Sequence, residues 1–92
     1  MPRYLIERNF EVGEEEMPEI SRKSKRTIES MSGIVWEFSH VIVEDSGLVT
    51  TFCVYVAPSE DDVRAHAQAL GAHSIGSIRV IAADVTPADF PL

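Results

Sequence analysis

Trp36-Glu37-Phe38-Ser39-His40-Val41-Ile42-Val43-Glu44-Asp45-Ser46-Gly47-Leu48-Val49-Thr50-Thr51-Phe52-Cys53-Val54-Tyr55-Val56-Ala57-Pro58 decides the fold. Two runs rich in β-branched and aromatic residues flank a turn around Glu44-Asp45-Ser46-Gly47, which predicts a β-hairpin. The stretch also holds the only Trp, the only Cys and one of the three His. A loop of Asp45-Ser46-Gly47 sets Trp36, Phe38 and His40 opposite Val56, Val54 and Phe52, and Glu37 and Ser39 opposite Tyr55 and Cys53. In that register Trp36 and His40 belong to the helix-packed core, and Cys53 and Tyr55 line an open sheet face beside Glu7. A loop one residue longer regroups Trp36, Phe38 and His40 with Tyr55, Cys53 and Thr51. Both registers stay open, because a slip of one residue turns every side chain to the other face.

Upstream, Arg3 to Phe10 has strand composition, and its alternation separates Tyr4, Ile6 and Arg8 from Leu5, Glu7 and Asn9. Gly13 and Glu14-Glu15-Glu16 end that strand, and Pro18 suits the first turn of a helix running to about Met31. Its inward stripe is Ile20, Ser24, Thr27, Ile28 and Met31, with Gly33 as the stop. Downstream, Ser59 followed by Glu60-Asp61-Asp62 is an N-cap signal, and Val63, His66, Ala67 and Leu70 form the buried stripe of a second helix closed by Gly71. Ala72-His73-Ser74 reads as a connector with His73 exposed, and Ile78 to Ala82 as the last strand. The order is β-α-β-β-α-β, an α+β, ferredoxin-like plan: a four-stranded antiparallel sheet with two helices on one face. One domain is expected over residues 1–92, with a tail from about residue 85 outside regular structure.

A chain of 92 residues has one modest core, and the bare sheet face of this plan is commonly covered by a second copy, so a homodimer is expected. Fifteen acidic against eight basic side chains give a net charge of −7, a field that repels phosphate backbones and anionic lipid. Nucleic acid and membrane are therefore not expected partners. The basic cluster Arg22-Lys23, Lys25-Arg26 reads as a solvated helix face. No apolar run reaches a membrane span and the first residues are charged, so the cytoplasm is the expected compartment. The single Cys excludes a disulfide within the chain.

No nucleophile elbow, phosphate loop, Cys-x-x-Cys or His-x-x-x-His is present, so no catalytic residues are assigned. Glu7, Glu37, His40, Cys53, Tyr55, His66 and His73 are scattered donors of the carboxylate, imidazole, thiolate and phenol types, a mixture suited to nickel, zinc or copper. Met1-Pro2-Arg3-Tyr4-Leu5-Ile6-Glu7-Arg8, Ile20-Ser21-Arg22-Lys23-Ser24, Trp36-Glu37-Phe38-Ser39-His40, Phe52-Cys53-Val54-Tyr55-Val56-Ala57-Pro58 and Val63-Arg64-Ala65-His66-Ala67 with Gly71 carry a resemblance over nearly the whole chain. The chain resembles a family of small bacterial nickel-binding proteins, dimeric and ferredoxin-like, formerly a domain of unknown function. Two departures add imidazole: His40 stands where the family usually has Tyr, and Ala72-His73 replaces a hydrophobic-Pro pair.

The resemblance implies binding or sequestration of a divalent transition metal, nickel first, by a homodimer. Glu7, Cys53 and His66 are the first candidate ligands, and His40 and Tyr55 the second. A competing expectation is an enzyme or small-molecule binder of the dimeric α/β-barrel type, using the open sheet face. An enclosed apolar cavity with a perturbed carboxylate or imidazole would mark it. A structural dimer without ligand is the third.

Overall fold

The computed structural model describes residues 1–92. Strand β1 (Arg3–Phe10) leads through a single 3-10 turn at Glu14–Glu16 into helix α1 (Met17–Glu29). Strands β2 (Val35–Val43) and β3 (Val49–Val56) form the hairpin, and helix α2 (Glu60–Leu70) returns the chain to β4 (His73–Val80). The sheet order is β2-β3-β1-β4, and every neighbouring pair is antiparallel. This is the ferredoxin-like α+β fold expected from the element order, with a further 3-10 turn at Pro87–Asp89 in the tail.

The element ends reflect local chemistry. Ser59 is the N-cap of α2: its Oγ accepts from the Asp62 N–H at 3.3 Å and donates to Asp62 Oδ2 at 2.6 Å. Three acids in the first turn add favourable interaction with the helix dipole. Gly71 ends the helix at φ 70, and Ala72 comes next at φ 63, so two consecutive residues lie in the left-handed range where the chain turns into β4. Helix α1 has no side-chain N-cap bond and relies on Pro18 in its first turn and on packing of Met17 and Ser24.

The hairpin register resolves into both alternatives, one at each end. From Phe38↔Val54 through His40↔Phe52 to Val43↔Val49 the pairing is that of the Asp45-Ser46-Gly47 loop, with Gly47 at φ 87 and its N–H donating to Glu44 O at 2.8 Å. An irregularity between Trp36 and Phe38 then shifts the register, so that Trp36 lies opposite Tyr55 and Val35 opposite Val56. A bulge of this kind adds one unpaired residue and re-aims the side chains beyond it. Here it turns Trp36 to the helix side together with Tyr55, while Phe38 and His40 remain on the other face.

The face assignment derived for that loop is corrected. In β1, Tyr4, Ile6, Arg8 and Phe10 are buried, and in the pairing of β1 with β3 they align with Tyr55, Cys53, Thr51 and, beyond the ladder, Val49. Cys53 and Tyr55 therefore face the helices, whereas His40, Phe52, Val54, Leu5 and Glu7 occupy the open face. The last strand is corrected as well. It starts at His73, not Ile78, and ends at Val80, and His73 is half-buried on the helix side opposite Phe10.

The core sits between the sheet and the helices in two parts. Tyr4, Ile6, Ile34, Cys53, Tyr55, Ala57 and Val63 form the larger one; Phe10, Met17 and Val49 form the smaller. Each fully buried aliphatic side chain here contributes about 1.5–3 kcal/mol. Alternation along β1 and β3 places Arg8 and Thr51 at the level between the two parts, so a polar layer divides the core.

Candidate functional site

Arg8 is the centre of that layer. A guanidinium in mid-strand is 1% exposed, and no carboxylate pairs with it. Its Nη2 lies 3.2 Å from His66 Nδ1 and its Nη1 3.0 Å from His73 Nε2. Guanidinium only donates, so both imidazole nitrogens are acceptors. His73 Nδ1 carries the proton and donates to Gly71 O at 2.7 Å; His66 Nε2 carries the proton and donates to Ser24 Oγ at 3.3 Å. Ser24 Oγ is also 3.3 Å from the Tyr55 hydroxyl, and the Arg8 guanidinium lies 5.1 Å from the centre of the Tyr55 ring. The remaining nitrogen, Arg8 Nε, has no partner for its N–H.

Burial sets the electrostatics. Desolvation, and then the Arg8 charge, push His66 down to about 4, against a weaker upward pull from the Ser24 backbone. Burial also lowers His73 below its ordinary value, opposed by the bond to Gly71. Burial raises Tyr55, with Arg8 acting in the opposite sense. Near neutral pH the cluster is one cation among neutral groups.

A cleft opens beside this layer between α1 and the β2 side of the sheet. Arg8, Ser24, Thr51, Cys53 and Tyr55 lie at its base, and Met17, Ile20, Ser21 and Val41 are among its walls. About 40 Å³ is open to water-molecule centres, room for roughly three waters. Trp36 stacks on Tyr55 with centroids 6.3 Å apart and bonds Ser39 Oγ through its indole N–H at 2.9 Å, which closes one side. Thr51 Oγ1 and Cys53 Sγ are 3.2 Å apart.

The five residues expected from the sequence as metal ligands fall into two groups. Cys53, Tyr55 and His66 are buried on the helix side: His66 meets Arg8 directly, the centre of the Tyr55 ring lies 5.1 Å from the guanidinium, and Cys53 reaches only Thr51 of that layer. Glu7 and His40 lie on the open face, on strands separated by β3, so their backbones are about 10 Å apart. Glu7 also leans away from β2: its carboxylate lies over Gly76 of β4 and accepts from Asn9 Nδ2 at 3.3 Å. Glu37 is engaged by Arg3, whose Nε donates to it at 2.8 Å while Nη1 reaches Asp84 at 2.5 Å. No three side chains of the His, Cys, Asp and Glu types converge within the chain.

Sequence reasoning passes over Arg8, Ser24 and Thr51 as functional groups. The available signal is Arg8 on the same face as Tyr4 and Ile6, since a buried Arg requires partners. As for the competing mark set for a small-molecule binder, the cleft is open rather than enclosed, and the perturbed imidazoles of His66 and His73 are not among its lining residues.

The fold and this layer define a small ferredoxin-like α+β protein with an arginine-centred polar cluster under two helices. The chain belongs to the family described as nickel responsive protein SCO4226-like, whose model matches residues 4–80. No curated protein and no solved structure matches the chain. No helix is long and apolar enough to cross a membrane.

Proposed function

We propose that this protein binds nickel as a homodimer, with the metal at the open sheet face and Glu7 and His40 of both copies as its protein donors. The observation that carries the reading is the separation of donors. One chain brings no three of them together, whereas two copies contribute two carboxylates and two imidazoles. That set suits a nickel shell of about six donors completed by water. Membership of a nickel-responsive family supports the metal, and the half-exposed apolar side chains on the same face, Phe38 at 46% and Leu5 at 37%, support the second copy.

The helix-side group suits nickel less well. The guanidinium of Arg8 already occupies His66 Nδ1, and a divalent cation beside that charge would be repelled. Cys53, Tyr55 and His66 are therefore left out of the proposed shell.

Calorimetric titration of chelator-treated protein with nickel tests the proposal. The expected result is saturable binding below two nickel per dimer, weakened at least about tenfold by Glu7→Gln or His40→Phe and unchanged by Cys53→Ser. Absence of binding at micromolar concentration, or equal loss in Cys53→Ser, would overturn it.

A further inference from the structure

We infer that the cleft over Arg8 is a binding site for a small organic carboxylate with a short apolar chain, independent of the nickel proposal. Arg8 is 1% exposed, and the structure gives it no acidic partner. Its two terminal nitrogens are held by neutral imidazoles, which orient the fork without neutralising it. The third type of donor, Nε–H, is buried and unpartnered, although an orphaned buried donor costs free energy comparable to a lost hydrogen bond. Arg8 lines a cleft, and an anion entering from the α1 and β2 side would supply the missing charge and, on reaching the buried Nε–H, the missing acceptor.

The walls select the anion. Eight of the thirteen lining residues are hydrophobic, which disfavours strongly hydrated phosphate or sulfate and favours a single carboxylate carrying a short hydrocarbon. A planar carboxylate also matches guanidinium geometry better than a point charge would. Ser24, Thr51 and Tyr55 offer hydroxyls at the base for the second oxygen. The space fits an acid of about propionate size, with its carbon end toward Ile20 and Ser21 at the mouth.

The test is NMR titration of the full chain, isotope-labelled and kept in chelator, with sodium propionate at constant ionic strength and inorganic phosphate in parallel. Saturable shifts at Arg8 Nε–H and at the Ser24 and Thr51 amides with propionate, and not with phosphate, are expected. Ser21→Leu, which fills the mouth from a surface turn of α1 and leaves Arg8 in place, should weaken binding at least about tenfold with an unchanged melting temperature. Arg8→Lys, which keeps the charge and loses the fork, should weaken it similarly while His66 stays neutral. No saturable shift by tens of millimolar propionate, equal response to phosphate, or full affinity in Ser21→Leu would each overturn the assignment.

Discussion

Arg8 Nη2 lies 3.2 Å from His66 Nδ1, and because the arginine can only donate, this contact fixes the imidazole as the Nε2–H tautomer. The same guanidinium holds His73 in the opposite tautomer, Nδ1–H, through its second terminal nitrogen. Nitrogen-detected NMR at pH 7 is expected to show His66 as Nε2–H and His73 as Nδ1–H. Arg8→Met should release the His66 tautomer first, since Ser24 Oγ can accept from or donate to its Nε2, whereas the Gly71 carbonyl only accepts and keeps His73 as Nδ1–H. His66 and His73 in the same tautomer would contradict the arrangement.

The stability of the fold should depend on pH through this pair. His66 is held at about 4 against an ordinary 6.5, chiefly by desolvation and then by Arg8, and His73 is displaced in the same direction. Unfolded chains take up these protons first, so the contribution is fully present above pH 6.5 and is lost as pH falls from 6.5 toward 4. For His66 the loss is on the order of 2–3 kcal/mol across that window. Urea unfolding at pH 7.5, 6 and 5 reads the slope, and His66→Gln should flatten it. A midpoint independent of pH between 7.5 and 5 would count against a buried neutral imidazole.

The strands and α2 are legible because their signals are local. Alternation from Tyr4 to Phe10 and the Ser59 cap with its three acids need only neighbours in sequence. The irregularity that turns Trp36 inward leaves no such trace, and the placement of Val35 and Trp36 depends on it. Likewise Ser74, Gly76 and Ser77 have weak strand preference, so composition reveals β4 only from Ile78, although its pairing with β1 starts at His73. The candidate site is hidden for a related reason: the partners of Arg8 lie 58 and 65 residues away, and only the assembled sheet and helix bring them to it.

Gly76 should prove to be a positioning residue for Glu7. A Cβ there would overlap the Glu7 carboxylate and approach Asn9 Nδ2 to 2.9 Å, so the bare backbone of β4 is the bed on which Glu7 lies. Gly76→Ala is expected to cost about 1–2 kcal/mol, in the range for overfilled positions. In a Glu7→Ala background the cost should fall by about 1 kcal/mol, because the clash is with that side chain. Chemical denaturation of the four proteins of the cycle measures this coupling, and strict additivity would refute the contact.

Phe38 tests the open face from beside the ring of His40, one of the proposed donors. It lies opposite Val54 and meets the His40 ring edge-on at 5.4 Å, yet 46% of it is exposed in the single chain. If two copies cover this face, Phe38→Asp places two carboxylates in an apolar contact, one from each copy. Each such burden is worth at least about 1.4 kcal/mol, or tenfold, so the dimer should weaken by about 100-fold or more. The monomer should keep its urea midpoint within about 0.5 kcal/mol, since a surface substitution away from the core has little effect on folding. Sedimentation with and without nickel reads the association, and urea unfolding of the monomer reads the second outcome. Loss of dimer together with loss of nickel binding is expected, because one chain alone brings no three donors together. A dimer that survives Phe38→Asp, or a monomer that still binds nickel with full affinity, would place the interface or the metal elsewhere on the molecule.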